Sequence, residues 1–301
     1  MTGAWRAVAV LVLLVVAGCS ASDNGGTIGG GPVSEVRLGP AGALKQALPA
    51  DVAARGTLRV GAAISRPPLL FYATGTVTAE GIDQDIMQAI GRQLGITITL
   101  ANVPLQQLGP EVIANHIDAF TSGFVDIKPF EGAGIDFIDY MTGRSSVLVR
   151  DGNPAKVGGP DDLCGRTVSL IAGTAQQIAG IALDGRCKTR QKPAVSFHGE
   201  ADHAAALNDL TSGRVDALLD DSVVAAYTAQ VSTGPTTVQV AGAAVDPMPY
   251  GIGVARGNAE LRNALQSALQ AVIRDGEYDA ALAKWGGSTA ALRTASINAG
   301  T

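Results

Sequence analysis

One alternation, a short β-branched run followed by apolar residues at helical spacing, occurs twice in this chain and limits its fold more than any other feature. The first copy opens with Gly56-Thr57-Leu58-Arg59-Val60-Gly61-Ala62-Ala63, which reads as a strand bounded by glycines. A Pro67-Pro68 turn and a hairpin through Phe71 and Tyr72 follow. Ile82, Ile86, Ile90 and Leu94 then recur every fourth residue and stop at Gly95, which predicts a helix with one buried stripe. Ile96-Thr97-Ile98-Thr99-Leu100 reads as the next strand, residues 105–115 as a polar helical stretch, and Ile117-Asp118-Ala119-Phe120 as a further strand. The pattern restarts after Asp151-Gly152-Asn153-Pro154, with a strand at residues 167–171, a turn at Gly173 and a last strand at Val215-Asp216-Ala217-Leu218-Leu219 running into Asp220-Asp221. Strands separated by helices pair in parallel, so two α/β lobes are expected, and ligands of such sheets sit at strand ends. Two amphipathic helices follow, striped by Leu261, Leu265, Leu269 and Val272, then by Tyr278, Leu282 and Trp285. Aromatic residues are 4% of the chain, which leaves the core to Ala, Val, Leu and Ile.

The remaining composition narrows the function classes. With 301 residues, 47% of them hydrophobic, the chain can bury a sizeable core. It carries 22 basic and 27 acidic residues, a net charge of −5, and no Lys/Arg run, so nucleic acid is not expected as a partner. His116, His198 and His203 show no metal-ligand spacing and read as solvated helix-end residues; no metal and no cofactor are expected.

The N-terminus reads as an export signal: Arg6 precedes an apolar run at residues 7–17, shorter than the about 20 residues that span a bilayer. The run ends in Val16-Ala17-Gly18-Cys19-Ser20, which resembles the lipobox of bacterial lipoproteins. That resemblance implies removal of residues 1–18 as a signal peptide, acylation of Cys19 and attachment to the outer face of the cytoplasmic membrane. Residues 19–47 then form a lipidated Gly/Ser-rich tether and an extension of the body. In an exported protein Cys164 and Cys187 are expected to pair as a disulfide, with two free buried thiols as the alternative.

Five segments in order carry a wider resemblance. They are Gly56-Thr57-Leu58-Arg59-Val60-Gly61, Glu80-Gly81-Ile82-Asp83-Gln84-Asp85-Ile86, Gly213-Arg214-Val215-Asp216-Ala217-Leu218-Leu219-Asp220-Asp221, Pro249-Tyr250-Gly251-Ile252-Gly253-Val254 and Gly276-Glu277-Tyr278-Asp279-Ala280-Ala281-Leu282-Ala283-Lys284-Trp285-Gly286. The chain from about residue 48 to 287 resembles the extracellular solute-binding proteins of family 3, the polar amino acid receptors of ABC importers. Leu163-Cys164-Gly165-Arg166 with Cys187 resembles an actinobacterial branch in which these cysteines pair. The resemblance implies a two-lobed, type II periplasmic-binding-protein-like α/β fold with a cleft between the lobes. Lobe 1 would comprise residues 48–145 with 246–290, lobe 2 residues 146–245, and residues 291–301 a C-terminal tail. The crossings fall near residues 140–146 and 246–250. The expected function is capture of a small polar solute by a monomer through hinge closure and delivery to ABC permease subunits in the same membrane.

In lobe 2 the resemblance puts Asp221 on the ligand's amino group, and Thr174 and Gln176 on its carboxylate, at a glycine turn that opens a helix and so favours an anion. In lobe 1 it adds Phe71, Ser122 and Phe124. Here the chain departs from the family: Phe130 stands where an arginine usually grips the ligand carboxylate, Ala63 where an acidic residue is usual, and Arg66 where an aromatic is usual. Two readings stay open. Arg66 replaces the missing cation and an amino acid is bound, or the ligand is an amine or betaine-like solute held against Phe130. A sensory receptor without a permease is a further alternative. Dehydratase-like catalysis is not expected, because no nucleophile motif, Cys/His pair or metal set is present.

Overall fold

The computed structural model describes residues 41–300; the signal segment, Cys19 and the tether lie outside the described residues. After α1 (Ala50–Arg55) come β1 (Thr57–Ala62), the hairpin β2 (Phe71–Tyr72) and β3 (Ala79–Glu80), α2 (Ile82–Leu94) and β4 (Thr97–Asn102). Next are α3 (Leu108–Ile113), β5 (Ala119–Thr121), α4 (Lys128–Gly132) and the long β6 (Ile135–Arg150). The second copy of the alternation comprises β7 (Thr167–Ile171), α5 (Ala175–Thr189), β8 (Ser196–Glu200), α6 (His203–Thr211), β9 (Ala217–Asp221) and α7 (Ser222–Val231). The chain returns through β10 (Val238–Ala255), α8 (Ala259–Arg274), α9 (Glu277–Lys284) and β11 (Ala291–Ile297).

The helix predicted from the isoleucine stripe is α2. Ile82, Ile86, Ile90 and Leu94 are all buried, and burying each such side chain contributes about 1.5–3 kcal/mol. Asp83 and Asp85 in its first turn oppose the positive end of the helix dipole, and Gly95 ends it in the left-handed conformation (φ 64°), where a side chain would be strained.

One mixed sheet of nine strands runs through the body in the order β4-β1-β5-β10-β6-β9-β7-β8, with β11 also paired to β6. The predicted parallel pairs are present at both ends, β4-β1-β5 and β9-β7-β8. Between them lies what the alternation did not predict. β6 (16 residues) and β10 (18 residues) form an antiparallel ribbon that belongs to both ends, and residues 140–146 and 246–250 lie within these two long strands. The ribbon shifts register between Ala241 and Val245, between Val245 and Met248, and between Tyr250 and Gly251. The ring of Tyr250 lies on Gly143 at this point, in space that any Cβ would occupy.

The larger half packs α2, α8 and α9 against one face of the sheet and an aromatic cluster with α3 on the other. The smaller half packs α5 on one face, and α6 and α7 on the other. Cys164 and Cys187 are joined, tying the turn before β7 to the last turn of α5 with their Cα atoms 5.6 Å apart. The region expected as a tail carries β11, fixed by Tyr278, whose hydroxyl donates to the Tyr140 carbonyl (2.6 Å) and accepts from the Leu292 N–H (2.8 Å).

Candidate ligand-binding cleft

The loop after β1 and the start of α6 face each other across a pocket of about 310 Å³. Ala63, Arg66 and Gln106 line it from the larger half, Ile171 and Asp202 from the smaller. The halves are in contact around it: Gln106 Nε2 donates to the Ala172 carbonyl at 3.0 Å.

Arg66 is held by its backbone, which exchanges hydrogen bonds with Leu70 (2.8 and 3.0 Å), and its side chain is directed inward with only 3% of the residue exposed. Nη1 donates to the Ser122 carbonyl at 3.4 Å, and Nη2 lies 3.8 Å from Asp220 Oδ1. Nε and Nη2 have no hydrogen-bond partner. Burial on its own would drive the proton off this guanidinium. The carboxylate of Asp220, followed by the neighbouring Tyr250, Asp221 and Asp83, outweighs that cost and holds Arg66 above its ordinary value. A buried cation is costly unless an anion compensates it; here Asp220 supplies the charge at 3.8 Å, while Nε and Nη2 are left without a hydrogen bond.

Asp220 and Asp221, at the end of β9, turn different ways. Asp221 caps α7, accepting from the N–H groups of Val223 (2.8 Å) and Val224 (3.2 Å). The Tyr250 hydroxyl donates to its Oδ2 at 3.0 Å, and Gln176 Nε2 donates to that hydroxyl at 3.1 Å. Asp220 faces Arg66 and His203, whose Nδ1 lies 2.8 Å from Oδ2. Burial raises both carboxyls. For Asp220 the charge and hydrogen bond of His203, then Arg66, reverse the shift and hold it below the usual range; Asp221 stays above it, because Arg66 only partly offsets burial and Asp220 repels it.

The remaining expected residues divide. Thr174 donates its hydroxyl to the Ile171 carbonyl (2.7 Å) at the start of α5, an N-terminus without a side-chain cap. Ser122, at φ 136°, accepts from the Ala63 N–H through Oγ at 2.7 Å, which locks the strand end behind Arg66. The structure therefore gathers Arg66, Ser122, Gln176 and Asp221 around one polar centre. Phe71 packs edge-on to Trp285 (5.5 Å between centroids) and lies 6.3 Å from Tyr227 of the smaller half. Phe124 and Phe130 pack on each other at 5.0 Å within a cluster that also holds Phe120 and Phe137. Lys128 pairs with Glu131 at the surface.

Two participants were missed from sequence. His203, expected as a solvated helix-end residue, is 6% exposed and inside this network; the expectation failed because α6 begins with its first turn pressed on β9. Asp83 accepts from the hydroxyls of Tyr140 (2.7 Å) and Thr121 (3.0 Å), and burial pushes it up to about 6. Its place in the quoted Glu80–Ile86 segment was the available signal. Among the described residues no group of three or more His, Cys, Asp or Glu side chains is placed to hold a metal, and no helix is long and apolar enough to cross a membrane.

Two α/β halves joined by a strand ribbon, with a polar chamber between them, define a two-lobed solute receptor. The chain belongs to the bacterial extracellular solute-binding proteins, family 3, whose family model matches residues 58–288. It is 26% identical over 300 residues to the arginine-binding protein ArgT of Corynebacterium glutamicum, covering 97% of this chain and 96% of that one. An ancestral arginine-binding protein solved with glutamine superposes with a TM-score of 0.67 at 29% identity, covering 77% of this chain and 99% of the other. The ancestral amino acid-binding protein AncCDT-1, a precursor of cyclohexadienyl dehydratase, superposes with a TM-score of 0.68 at 27% identity, covering 78% and 97%.

Proposed function

We propose that this chain is the extracytoplasmic receptor of an ABC importer, attached to the outer face of the membrane through a lipid on Cys19, and that it binds a free amino acid between its lobes without transforming it. Residues 48–145 with 246–290 act as one lobe and 146–245 as the other, and the register shifts of the β6–β10 ribbon supply the hinge. The observation that carries this reading is Arg66, a buried guanidinium with free Nε and Nη2 facing two buried carboxyls. An amino acid supplies the complementary pair: its carboxylate completes Arg66, and its ammonium group meets the Asp221 carboxyl, both gaining strength as closure excludes water. Relatives named for arginine and an ancestral neighbour solved with glutamine support an amino acid as the solute class. The amine or betaine reading needed Phe130 in the cleft, and its packing on Phe124 favours the amino acid.

The test is a thermal-shift panel of the twenty L-amino acids, their decarboxylated amines and N-methylated betaines. A ligand present at 100 times its Kd stabilises the native state by about 2.7 kcal/mol, which is readily seen. Amino acids should raise the melting temperature and decarboxylated amines should not, and Arg66→Ala should weaken the best binder by about tenfold or more, as loss of a charge-assisted hydrogen bond predicts. Response to amines alone would overturn the reading. For the anchor, Cys19→Ser should move the protein from the membrane fraction to the soluble fraction.

A further inference from the structure

A line of four buried side chains runs from the smaller half to Arg66. His203 Nε2 lies 3.3 Å from Thr228 Oγ1, His203 Nδ1 lies 2.8 Å from Asp220 Oδ2, and Asp220 Oδ1 lies 3.8 Å from Arg66 Nη2. Exposure along the line is 5% for Thr228, 6% for His203, 1% for Asp220 and 3% for Arg66. Each member comes from a different element: Thr228 from α7, His203 from the first position of α6, Asp220 from the end of β9 and Arg66 from the loop after β1. Asp202, just before His203, caps α6 by accepting from the Ala205 N–H at 2.9 Å, which fixes where that helix starts and so where the imidazole sits.

The imidazole is bracketed on both nitrogens: Nδ1 faces the Asp220 carboxylate at 2.8 Å, and Nε2 faces the Thr228 hydroxyl at 3.3 Å. Asp220 Oδ1 accepts from the Asp221 N–H (2.8 Å) and Oδ2 lies at ion-pair distance from His203 Nδ1 (2.8 Å), so the carboxylate is bracketed as it faces the guanidinium. Along this line His203 Nδ1 and Asp220 Oδ2, as well as Arg66 Nε and Nη2, make no hydrogen bond, so charge rather than hydrogen bonding joins these three side chains, and the line ends on the guanidinium that lines the pocket.

We propose that His203 is a positioning residue of the ligand site: acting through Asp220, it holds the Arg66 guanidinium in the orientation that leaves Nε and Nη2 open to the ligand's carboxylate. It touches no ligand itself. The proposal rests on the reading of Arg66 as the carboxylate acceptor and extends it to the smaller half, so that the cation is supplied by one half and aimed by the other.

Two measurements test it on the full chain carrying His203→Leu, His203→Asn or Arg66→Lys. In protein labelled with 15N-arginine and without ligand, the Arg66 Nε–H resonance, identified by its loss in Arg66→Lys, should exchange slowly with solvent in the parent and in His203→Asn, whose amide can donate from the Nδ1 position. In His203→Leu it should exchange fast; an unchanged resonance there would overturn the proposal. The second measurement uses the strongest binder among the twenty L-amino acids and its carboxamide. His203→Leu should weaken the amino acid by about tenfold, lower its preference over the carboxamide, and be rescued by His203→Asn. Equal losses for acid and carboxamide would mean a general packing defect and would also overturn it. If no amino acid binds the parent, the amino acid reading fails on its own, while the resonance still decides whether His203 positions Arg66.

Discussion

The two halves of the molecule reach order by different means. The larger half closes its core with α2, α8 and α9, adds four packed phenylalanines on the opposite face, and takes β11 from the end of the described chain as a further strand. The smaller half has a smaller apolar core, and its α5 helix is fastened to the turn before β7 by the Cys164–Cys187 bond. Their chemistry differs in the same direction. The larger half contributes one cation, Arg66, on a loop, whereas the smaller half contributes carboxyls and an imidazole at strand and helix ends, where backbone N–H groups fix them. A half with a large core can mount a ligand group on a loop; a half with a small core keeps its groups on regular elements and adds a covalent tie.

Removing that tie should break the contrast most strongly. Cys164→Ser with Cys187→Ser opens a loop of 23 residues' separation, which the chain-entropy account values at about 3 kcal/mol. Urea unfolding should show that loss, and hydrogen exchange should speed up in α5 and β7 while α2 and α8 keep their protection. Uniform acceleration across both halves would show them to unfold as one unit.

In the larger half, Tyr278→Phe removes the hydroxyl that ties Tyr140 to Leu292, at a cost of about 1–2 kcal/mol for a buried hydrogen-bonded pair. The loss should appear in urea unfolding, with faster exchange confined to β11 and its β6 partner.

The smallest expected effect depends on pH. Asp126 and Asp139 are buried together beneath the end of the described chain, where the Gly300 and Ala299 N–H groups donate to them. Burial pushes Asp126 up to about 7 against the pull of the Gly300 N–H, and the charge of Asp139 adds to the rise. A folded-state value above the unfolded one means that the native protein binds the extra proton. Stability from this pair is therefore full below about pH 4 and is lost as pH rises toward about 7. Asp126→Asn, which supplies a permanent donor, should flatten that slope and add about 1 kcal/mol at neutral pH, read as melting temperature against pH.

How much could be read in advance follows from how local each signal was. The α2 stripe and its glycine stop lie within one helix, and the β-branched runs of β1, β4 and β7 lie within single strands, so all were legible. The ribbon was not: β6 contains Asp136, Asp139, Gly143, Ser145 and Ser146, which break any apolar alternation, and only pairing with β10 makes the segment a strand. Asp221, Thr174 and Gln176 lie in segments where the smaller half keeps the family's pattern, and the structure places Asp221 and Gln176 on the Tyr250 hydroxyl. Phe124 and Phe130 were expected near the ligand from their positions in the chain, yet an aromatic residue there has a choice of faces, and the Phe120–Phe137 cluster takes them. His203 was invisible because its partners, Asp220 and Thr228, are 17 and 25 residues away and meet it only when α6 and α7 pack on β9.

Trp285 is the only tryptophan in residues 41–300. Its indole N–H is fixed to Asp85 at 2.8 Å, and its ring meets Phe71 edge-on, while Phe71 approaches Tyr227 across the cleft. Relative movement of the halves must disturb the surroundings of Phe71, and with them the emission of a single indole. Hinge closure of the kind proposed would therefore be read directly from a single indole, with no dye to attach and no second tryptophan in residues 41–300 to confuse the signal.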